Sequence, residues 1–464
     1  MRLESRLVPL LIVVAAIAVR LLLYSPVFSP DGERYSDQAR DLLAHRGYID
    51  DDGDPEVGLP PGYPLFLAVL FAIDGLTLVR IAQIALSSAA ALLVWAALRP
   101  WSARAALIAG LIVALHPWIA AASAAILSET FALFVCSLLV YLLSVIETKR
   151  GNALTFFDFG ALCVALLMIT PATMFLTFAL FVYVAAKGAG RRAQGADGVP
   201  EAARVSAGQS PAPRPLRPAP SLFWLTAGAL AIMIPWQAQS WIARHRVTPT
   251  VFVWQFRDPV TVWTRTWTLR ERELHVRWHP RDLAAAPPRA FRSAAERASL
   301  LAAARTQSDE QYESTLHDLG AATEAAEPLR VNVVYPAARA ALLWLDMPQL
   351  GHAQMEYVAH MQRSGNARRD VLRLGKVIVS TLGFAIYAGV AVTLLVLALR
   401  RRALAPALIV VTVAIYTAIS AYYGDGEARR NLTFYPALLF AAFYARHDSS
   451  ASTTRDCSSS DMSL

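Results

Sequence analysis

The sequence predicts an all-α, polytopic membrane protein with about ten transmembrane helices. Of its 464 residues, 56% are hydrophobic and only 17% are charged, whereas a soluble protein carries roughly a quarter of charged residues. The hydrophobic residues also fall in blocks, and several blocks approach the roughly 20 residues that a helix needs to cross a bilayer. These observations exclude a soluble enzyme with a single aqueous core.

The apolar blocks differ in length and flanking residues. The first contains "LVPLLIVVAAIAV" and is followed by no small-residue cleavage site, so we expect a retained span rather than a signal peptide. The block 62–73 holds only about a dozen residues, which predicts an interfacial or re-entrant segment. A tight hairpin around Thr170–Pro171 is expected between two later blocks. The full set is 7–24, 62–73, 78–98, 104–121, 124–146, 154–171, 172–186, 222–242, 375–399, 404–423 and 430–446.

Basic residues predict the sides of the membrane, because loops rich in Lys and Arg stay in the cytoplasm. If block 62–73 does not span, the basic segments 99–104, 147–152, 187–194 and 400–402 all lie on the cytoplasmic side. If it spans, the three later segments move outside. We therefore expect both termini inside and the acid-rich first loop outside, in a bacterial inner-membrane protein whose site faces outward.

Composition divides the chain into membrane and non-membrane parts. The linker and the tail are rich in small and polar residues and should be disordered. The apolar patch 331–345 is short and interrupted by Arg, so we expect it at the membrane surface. The parts are an N-terminal membrane module 1–187 with a first extracytoplasmic loop 25–77, a cytoplasmic linker 188–220, a closing span 221–242, an extracytoplasmic helical region 243–373, a three-span module 374–446 and a tail 447–464.

The net charge of +8 does not require a nucleic-acid partner. The arginines lie mostly at the ends of apolar blocks and in the linker, as membrane topology demands. Cys136, Cys163 and Cys457 show neither metal-ligand spacing nor a disulfide framework, and His116 is interpreted as structural rather than as a ligand. Composition therefore indicates membrane lipid as a partner and leaves the cofactor unknown, with a divalent cation as one candidate.

The first outer loop is unusually acidic. Residues 31–56 contain nine acidic residues against three arginines. The run 50–54 is interpreted as a solvated loop, whereas Asp31 and Glu33 begin a segment with helical spacing of apolar residues. We expect a short helix that lies flat on the outer membrane face with both acids in its first turn. Its apolar stripe comprises Tyr35, Ala39, Leu42 and Leu43.

Polar residues from two later segments are expected at the same membrane face. Glu129 in "LSETF" lies near the outer end of a span, where a carboxylate is costly and usually has a partner or a task. Arg429 and Arg430 lie just above the last span. Arginine matches phosphate oxygens, and a carboxylate can deprotonate a hydroxyl. Structural alternatives stay open, since acids complement a helix start, Glu129 can pair with an arginine and the arginines can anchor head groups.

Four segments, in order over most of the chain, resemble motifs of the C-type (GT-C) membrane glycosyltransferases. "PDGERYSDQARDLLAHRGY" followed by "LPPGYPLFLAVL" resembles their first extracytoplasmic loop, in the family of protein O-mannosyltransferases and bacterial aminoarabinose transferases. "HPWIAAASAAILSETF" is similar to the helices that follow there. "IPWQAQSWIARHRVTPTVF" is similar to a Pro-Trp segment, and "EARRNLTFYPALL" resembles an Arg-Tyr…Pro element near the C-terminus.

This resemblance implies transfer of a sugar from a polyprenyl-phosphate donor to an extracytoplasmic acceptor such as a glycolipid, a glycan or a protein. The catalytic Asp of the family's first loop corresponds to Asp31, with Glu33 as a second candidate. Tyr35 and Glu129 are then expected to shape the substrate pocket, while Arg429 and Arg430 bind the donor phosphate.

Two other classes of function are weighed against this hypothesis. A transporter or flippase of lipid-linked substrates predicts ionisable residues near the bilayer midplane and a two-fold repeat, and the sequence shows neither feature. A structural partner in an envelope-assembly complex would use the large outer region to bind protein, and would bind no polyprenyl phosphate.

Overall fold

The computed structural model describes most of the two membrane modules and much of the outer region. The helices are α1 Glu4–Leu22, α2 Pro30–Leu43, α3 Gly62–Phe71, α4 Gly75–Leu98, α5 Ala103–Leu115, α6 Pro117–Ala122, α7 Ser128–Glu147, α8 Ala153–Ile169, α9 Met174–Ala196, α10 Pro220–Arg244, α11 Pro259–Thr264, α12 Ala294–Thr306, α13 Asp309–Ala326, α14 Tyr335–Leu345, α15 Leu404–Tyr423 and α16 over 435–444. The described residues are 4–24, 30–49, 56, 59–148, 150–196, 220–244, 259–269, 273, 276, 280–283, 286–345, 404–423 and 428–444.

The described residues confirm the all-α polytopic class. Four helices are long and apolar enough to cross a membrane, and further apolar helices are shorter. The predicted span 375–399 and the tail lie outside the described residues, as does most of the linker. The four long segments are Gly75–Leu98, Ser128–Glu147, Ser221–Ala238 and Leu404–Tyr423.

One boundary differs from the prediction. The linker was expected to be disordered from residue 188, yet α9 continues as a helix to Ala196. The extension contains Ala, Arg and Gln, which are good helix formers, together with three glycines, which are poor ones. It therefore depends on the preceding span for the helical turn from which it propagates. Composition at the start of the linker therefore gave the wrong boundary.

The predicted hairpin between the blocks 154–171 and 172–186 is present. Asn152 caps α8 by accepting a hydrogen bond from the Thr155 amide at 2.9 Å. At its other end Thr170 adopts an extended conformation, and a short 3-10 turn, Pro171–Thr173, leads into α9. The proline fits here because the first turn of a helix does not need its missing N–H group.

Glycines set the contact between α8 and α10. A Cβ atom added at Gly160 would lie 1.9 Å from the Leu225 carbonyl oxygen, and one at Gly228 would lie 1.9 Å from the Phe157 oxygen. Because both obstacles are backbone atoms, neither can move aside. Small residues at such a crossing let two membrane helices approach closely.

A buried carboxylate joins three helices at one end of the bundle. Glu147 accepts hydrogen bonds from the hydroxyls of Tyr183, at 2.8 Å, and Tyr444, at 3.1 Å, and pairs with Lys187. The Trp101 ring packs against Tyr444 at 4.8 Å between centroids. Three of the basic segments predicted to share one membrane side therefore do lie at a common end.

The short helix α3 packs back along the beginning of α4. It spans ten residues, about half the length a transmembrane helix needs. The Gln83 amide of α4 donates to the Tyr63 hydroxyl at 3.1 Å, and Gly62 lies against the Met168 backbone at the end of α8. This geometry agrees with the prediction of a non-spanning segment at 62–73.

The outer region contains its own hydrophobic core. Helix α13 packs against α11, and this approach needs Gly320, whose added Cβ would lie 2.7 Å from the Val262 backbone. The core is closed by an aromatic pair, in which Trp263 and Trp267 lie 5.2 Å apart. Its principal buried members are Val260, Trp263, Trp267, Val276, Leu283, Leu300, Tyr312 and Leu316. We call residues 259–326 the outer module.

Helix α14 joins the outer module to the membrane helices in an unexpected way. The patch 331–345 was predicted to lie at the membrane surface, but α14 packs lengthwise along α15. Arg339 donates to the Ala421 carbonyl at 2.8 Å, and five residues on Trp344 donates to the Thr417 hydroxyl at 3.0 Å. The two helices are therefore antiparallel, and the arginine that seemed to exclude this packing binds backbone carbonyls.

Candidate functional site

Helix α2 presents its two N-terminal acids differently. Asp31 is half-buried and Glu33 is exposed, and both lie in the first turn, as predicted. Two residues correspond to about 200° of rotation around a helix, so the acids face opposite sides. Tyr35 is one turn beyond Asp31 and shares its face. The geometry therefore groups Asp31 with Tyr35 and separates Glu33 from them.

The apolar stripe of α2 is covered by protein rather than by lipid alone. Ala39 is fully buried, and the Tyr35 ring lies 5.1 Å from the Tyr63 ring of α3 in an edge-to-face arrangement. Arg40 lies over the Phe71 ring, 5.9 Å from its centroid. The structure therefore adds a protein contact to the expected helix, because α3 covers much of its apolar face. The placement of α2 on the membrane surface stays a prediction.

Tyr63 connects α2 to the beginning of α7. The Gln83 amide nitrogen binds both the Tyr63 hydroxyl, at 3.1 Å, and the Leu127 carbonyl, at 3.3 Å. The Tyr63 hydroxyl also lies within electrostatic reach of Tyr35 and Glu129. Tyr35 and the start of α7, which bears Glu129, both contact α3, since the Tyr35 ring packs on Tyr63 and the Phe131 ring stacks on Phe66 with 4.4 Å between centroids.

Glu129 is buried in the first turn of α7, with 6% of its surface exposed. A carboxylate there interacts favourably with the positive end of the helix dipole. The turn before it is held by His116, whose Nδ1 accepts the amides of Trp118 at 3.1 Å and Ile119 at 3.3 Å. His116 therefore caps α6, the structural role expected for it.

The arginine segment lies beside α7. Arg430 is half-buried in a 3-10 helix, Ala428–Phe434, that packs against α7. The next residue, Asn431, donates to the Leu343 carbonyl of α14 at 2.6 Å. The backbone of Arg429 belongs to the same 3-10 helix, while its side chain lies outside the described part of the structure. The packing brings this segment, α7 and α14 together.

Glu56 is a buried carboxylate that the sequence analysis did not single out. Its side chain is 2% exposed and accepts the Arg34 guanidinium at 2.8 Å. It also accepts the Gln38 amide at 2.8 Å and the Leu59 backbone N–H at 3.1 Å. Glu56 thereby ties the second turn of α2 to the segment that leads into α3, and it fixes the direction in which α2 presents Asp31.

Tyr48 extends this arrangement to α10. Its hydroxyl lies 2.9 Å from the Leu59 carbonyl and 3.2 Å from the Gln38 side-chain oxygen. Its ring packs against Trp236 with 5.8 Å between centroids. Burial and then the Glu56 charge raise the pKa of Tyr48 well above its ordinary value of 10.0. The Pro-Trp segment of α10 therefore contacts the first outer loop.

Arg20 is a second residue whose role was not predicted. It is fully buried near the end of α1 and donates to the Ser87 hydroxyl at 2.5 Å and to the Ser87, Ala16 and Ala114 carbonyls at 2.9 Å each. A cation at helix C-termini is favourable because the last carbonyls there have no helical partner. Arg20 holds α1, α4 and α5 together.

Metal ligands do not gather in the residues that the structure describes. Among them, no group of three or more His, Cys, Asp or Glu side chains lies close enough to hold a metal ion. No site is therefore assigned to the divalent cation that the sequence left as a candidate.

No protein-family model and no curated protein matches the chain. Two solved structures of ArnT from Cupriavidus metallidurans, a C-type glycosyltransferase, are similar to it. The structure bound to undecaprenyl phosphate is 16% identical, has a TM-score of 0.42, and the match covers 94% of this chain and 77% of that chain. The apo structure is 14% identical with a TM-score of 0.40, covering 96% and 78%.

Proposed function

We propose that this protein is a membrane glycosyltransferase that moves a sugar from a polyprenyl-phosphate donor to an acceptor at the outer membrane face. The observation that supports it most is the position of α3, which contacts α2 through the Tyr35 and Tyr63 rings and contacts α7 through the stacked Phe66 and Phe131 rings. Asp31 shares a face with Tyr35, which contacts Tyr63, and Tyr63 lies within electrostatic reach of Glu129. Two carboxylate-bearing segments about a hundred residues apart in sequence are thus joined through α3.

Asp31 is the proposed base. In a single displacement, the acceptor oxygen bonds to the anomeric carbon while the bond from that carbon to the phosphate oxygen breaks. The acceptor proton passes to the Asp31 carboxylate, and polyprenyl phosphate leaves with the bonding electrons. The sugar configuration is inverted. A positioned carboxylate can accelerate such a step by about 10² to 10⁴.

The donor phosphate is assigned to Arg429 and Arg430. The departing phosphate carries negative charge, and guanidinium groups that are already in place stabilise this charge without reorganisation. The 3-10 helix that carries them packs against α7, the helix that begins with Glu129. In this proposal Tyr35 and Glu129 line the sugar pocket between the base and the phosphate.

Glu33 provides a matched control for Asp31. It lies in the same helical turn, carries the same charge and is exposed on the opposite face. General effects of removing one acidic charge from the loop should therefore be equal for Asp31→Asn and Glu33→Gln. Only the first substitution removes the proposed base.

The test follows radiolabelled sugar as it leaves undecaprenyl phosphate in membranes that contain the native acceptors. We expect Asp31→Asn to lower the transfer rate by about 10²-fold or more, with undecaprenyl phosphate binding retained by native mass spectrometry. Glu33→Gln should stay within about twofold of wild type.

Undiminished transfer by folded Asp31→Asn would remove the base assignment. Absence of undecaprenyl phosphate binding to the wild-type protein would overturn the proposed function and favour a structural partner. Lipid binding together with transport across vesicles, but no transfer, would favour a transporter.

A further inference from the structure

Two buried polar atoms beside the proposed sugar pocket lack partners. The side-chain oxygen of Gln83 and the hydroxyl of Thr130 have no hydrogen-bond partner within the described part of the chain. Gln83 is 0% exposed and Thr130 is 1% exposed. An unsatisfied buried atom of this kind is unfavourable, so a ligand that forms hydrogen bonds with both atoms would gain affinity from them.

The direction of the Gln83 amide is determined by its neighbours. Its nitrogen lies 3.3 Å from the Leu127 carbonyl, which can only accept a hydrogen bond, so the nitrogen and not the oxygen must face that side. The same nitrogen donates to Tyr63 at 3.1 Å. The amide oxygen is therefore the end that remains to accept a donor, and the Tyr63 hydroxyl proton remains to be donated.

Thr130 lies next to Glu129 in the first turn of α7. Two other buried threonines bind a carbonyl of the preceding turn of their own helix: the Thr177 hydroxyl lies 3.1 Å from the Thr173 carbonyl, and the Thr412 hydroxyl lies 2.9 Å from the Ile409 carbonyl. Thr130 has no such local bond, although valine would fill the same volume without an unsatisfied hydroxyl. Its hydroxyl can both donate and accept.

The hydrogen-bonding groups of Gln83, Thr130 and Glu129 together distinguish a sugar from a phosphate. A phosphate accepts hydrogen bonds and is repelled by the Gln83 oxygen and by the carboxylate of Glu129. Sugar hydroxyl or amino groups donate, and hydroxyls also accept, so they match an amide oxygen, a threonine hydroxyl and a carboxylate together. We infer that Gln83 and Thr130 recognise the polar groups of the transferred sugar. This inference rests on the proposed function.

The experiment compares the affinity of the full-length protein for undecaprenyl phosphate alone with its affinity for undecaprenyl phosphate carrying mannose or aminoarabinose. Thr130→Val should weaken binding of a sugar-bearing lipid by about three- to tenfold, the range expected for one lost hydrogen bond, and should not change binding of the bare lipid. Gln83→Leu should weaken binding of the sugar-bearing lipid at least as much, because it also removes the bonds to Tyr63 and to the Leu127 carbonyl. Thr130→Val should not lower the melting temperature of the unliganded protein, because it removes only an unpartnered hydroxyl.

A matched control is Ser137→Ala on α7. Its hydroxyl binds the Leu133 carbonyl of its own helix at 2.7 Å, so its removal should leave both affinities unchanged. Variants that bind sugar-bearing lipids as tightly as wild type would show that water satisfies these atoms, and would overturn the inference alone. The inference also fails if Thr130→Val weakens binding of both lipids equally, or if wild type does not favour either sugar-bearing lipid. A wild-type protein that binds none of the lipids overturns the proposed function itself.

Discussion

Buried charges of opposite sign organise the first outer loop and join the outer module to the membrane helices. In the loop, the Glu56 carboxylate accepts hydrogen bonds from Arg34, Gln38 and the Leu59 backbone N–H. At the outer module, the Arg339 guanidinium donates only to backbone carbonyls among its described contacts. The sign of each buried charge therefore matches the unpaired groups of its segment. A carboxylate lies where donors need an acceptor, and a guanidinium lies where carbonyls need a donor.

The origin of those groups explains the difference. The last turn of a helix leaves carbonyls without helical partners, and Arg339 binds two of them at the end of α15, those of Ala421 and Tyr422. It also binds the Arg265 and Thr268 carbonyls in the turn after α11. Glu56 instead meets the Leu59 N–H group and the Arg34 and Gln38 side-chain donors of α2, which only an acceptor can satisfy.

Of the two buried charges, Arg339 should contribute more to the free energy of unfolding than Glu56. Arg339→Met keeps most of the side-chain length but leaves four buried carbonyls without their donor, at a cost of about 1–3 kcal/mol for each group that water cannot reach. We expect a loss of at least about 3 kcal/mol of unfolding free energy. The melting temperature in detergent and the rate of proteolysis within 259–345 measure this loss.

The matched control is Arg330→Met, in the π-helical turn, Arg330–Val334, that leads into α14. Arg330 pairs with Glu327, and both side chains are 39% exposed, so its removal should cost less than about 1 kcal/mol. Equal effects of the two substitutions would show that Arg339 contributes no more than a surface ion pair, and the contrast between the two regions would fail.

Glu56→Gln should lower the free energy of unfolding by less than Arg339→Met and by more than the loss of a surface ion pair. The substitution keeps the shape and one acceptor oxygen but removes the charge that strengthens the bonds to Arg34 and Gln38, and we expect a loss of about 1–3 kcal/mol. Arg34 is 42% exposed, so water takes over part of its hydrogen bonding and limits the loss. Denaturation in detergent gives the change in stability.

Asp37→Asn is the control for Glu56→Gln. Asp37 pairs with Arg40 at 2.6 Å on the same helix, and both side chains are more than half exposed. Such pairs contribute about 0.2–1 kcal/mol. A Glu56→Gln effect as small as that of Asp37→Asn would mean that the buried carboxylate does not fix α2.

The same contrast explains which features were predictable from sequence. Block lengths and basic clusters predicted the helices and the common end of three basic segments, because both depend on the bilayer and not on specific partners. Helical spacing placed Asp31 and Glu33 in one turn and predicted the apolar stripe of α2. Spacing alone does not determine whether lipid or another helix covers a stripe, and here α3 does.

The residues that were missed act through partners distant in sequence. Glu56 ends an acidic run in the sequence, and its role depends on Gln38 and Leu59, which bind its carboxylate. Arg20 and Arg339 interrupt apolar segments and are individually unfavourable there. Their stabilising contacts come from carbonyls more than sixty residues away. A predicted helix with an interior arginine could have suggested such a contact, but it could not have identified the acceptors.

Alkaline pH should lower the stability of both regions by a smaller amount than these substitutions, because each region contains a buried tyrosine with a raised pKa. Burial raises the pKa of Tyr312 in the outer module to about 12, and its hydroxyl donates to the Pro280 carbonyl at 2.8 Å. An unfolded tyrosine loses its proton near pH 10. Between pH 10 and 12 the folded state therefore keeps a proton that the unfolded state has lost, so stability falls as the pH rises. Tyr312→Phe should flatten this part of the pH profile of melting temperature.

Tyr48 tests whether the buried Glu56 carboxylate raises the pKa of the tyrosine in its own loop. Its pKa is raised by burial and additionally by Glu56, whereas Glu56 is not among the charges that act on Tyr312. Glu56→Gln should therefore lower the pKa of Tyr48 and leave that of Tyr312 unchanged. Absorbance titration at alkaline pH, in the backgrounds Tyr48→Phe and Tyr312→Phe, assigns each transition to its residue. A shift of both transitions, or of neither, would show that the carboxylate does not act selectively on the loop.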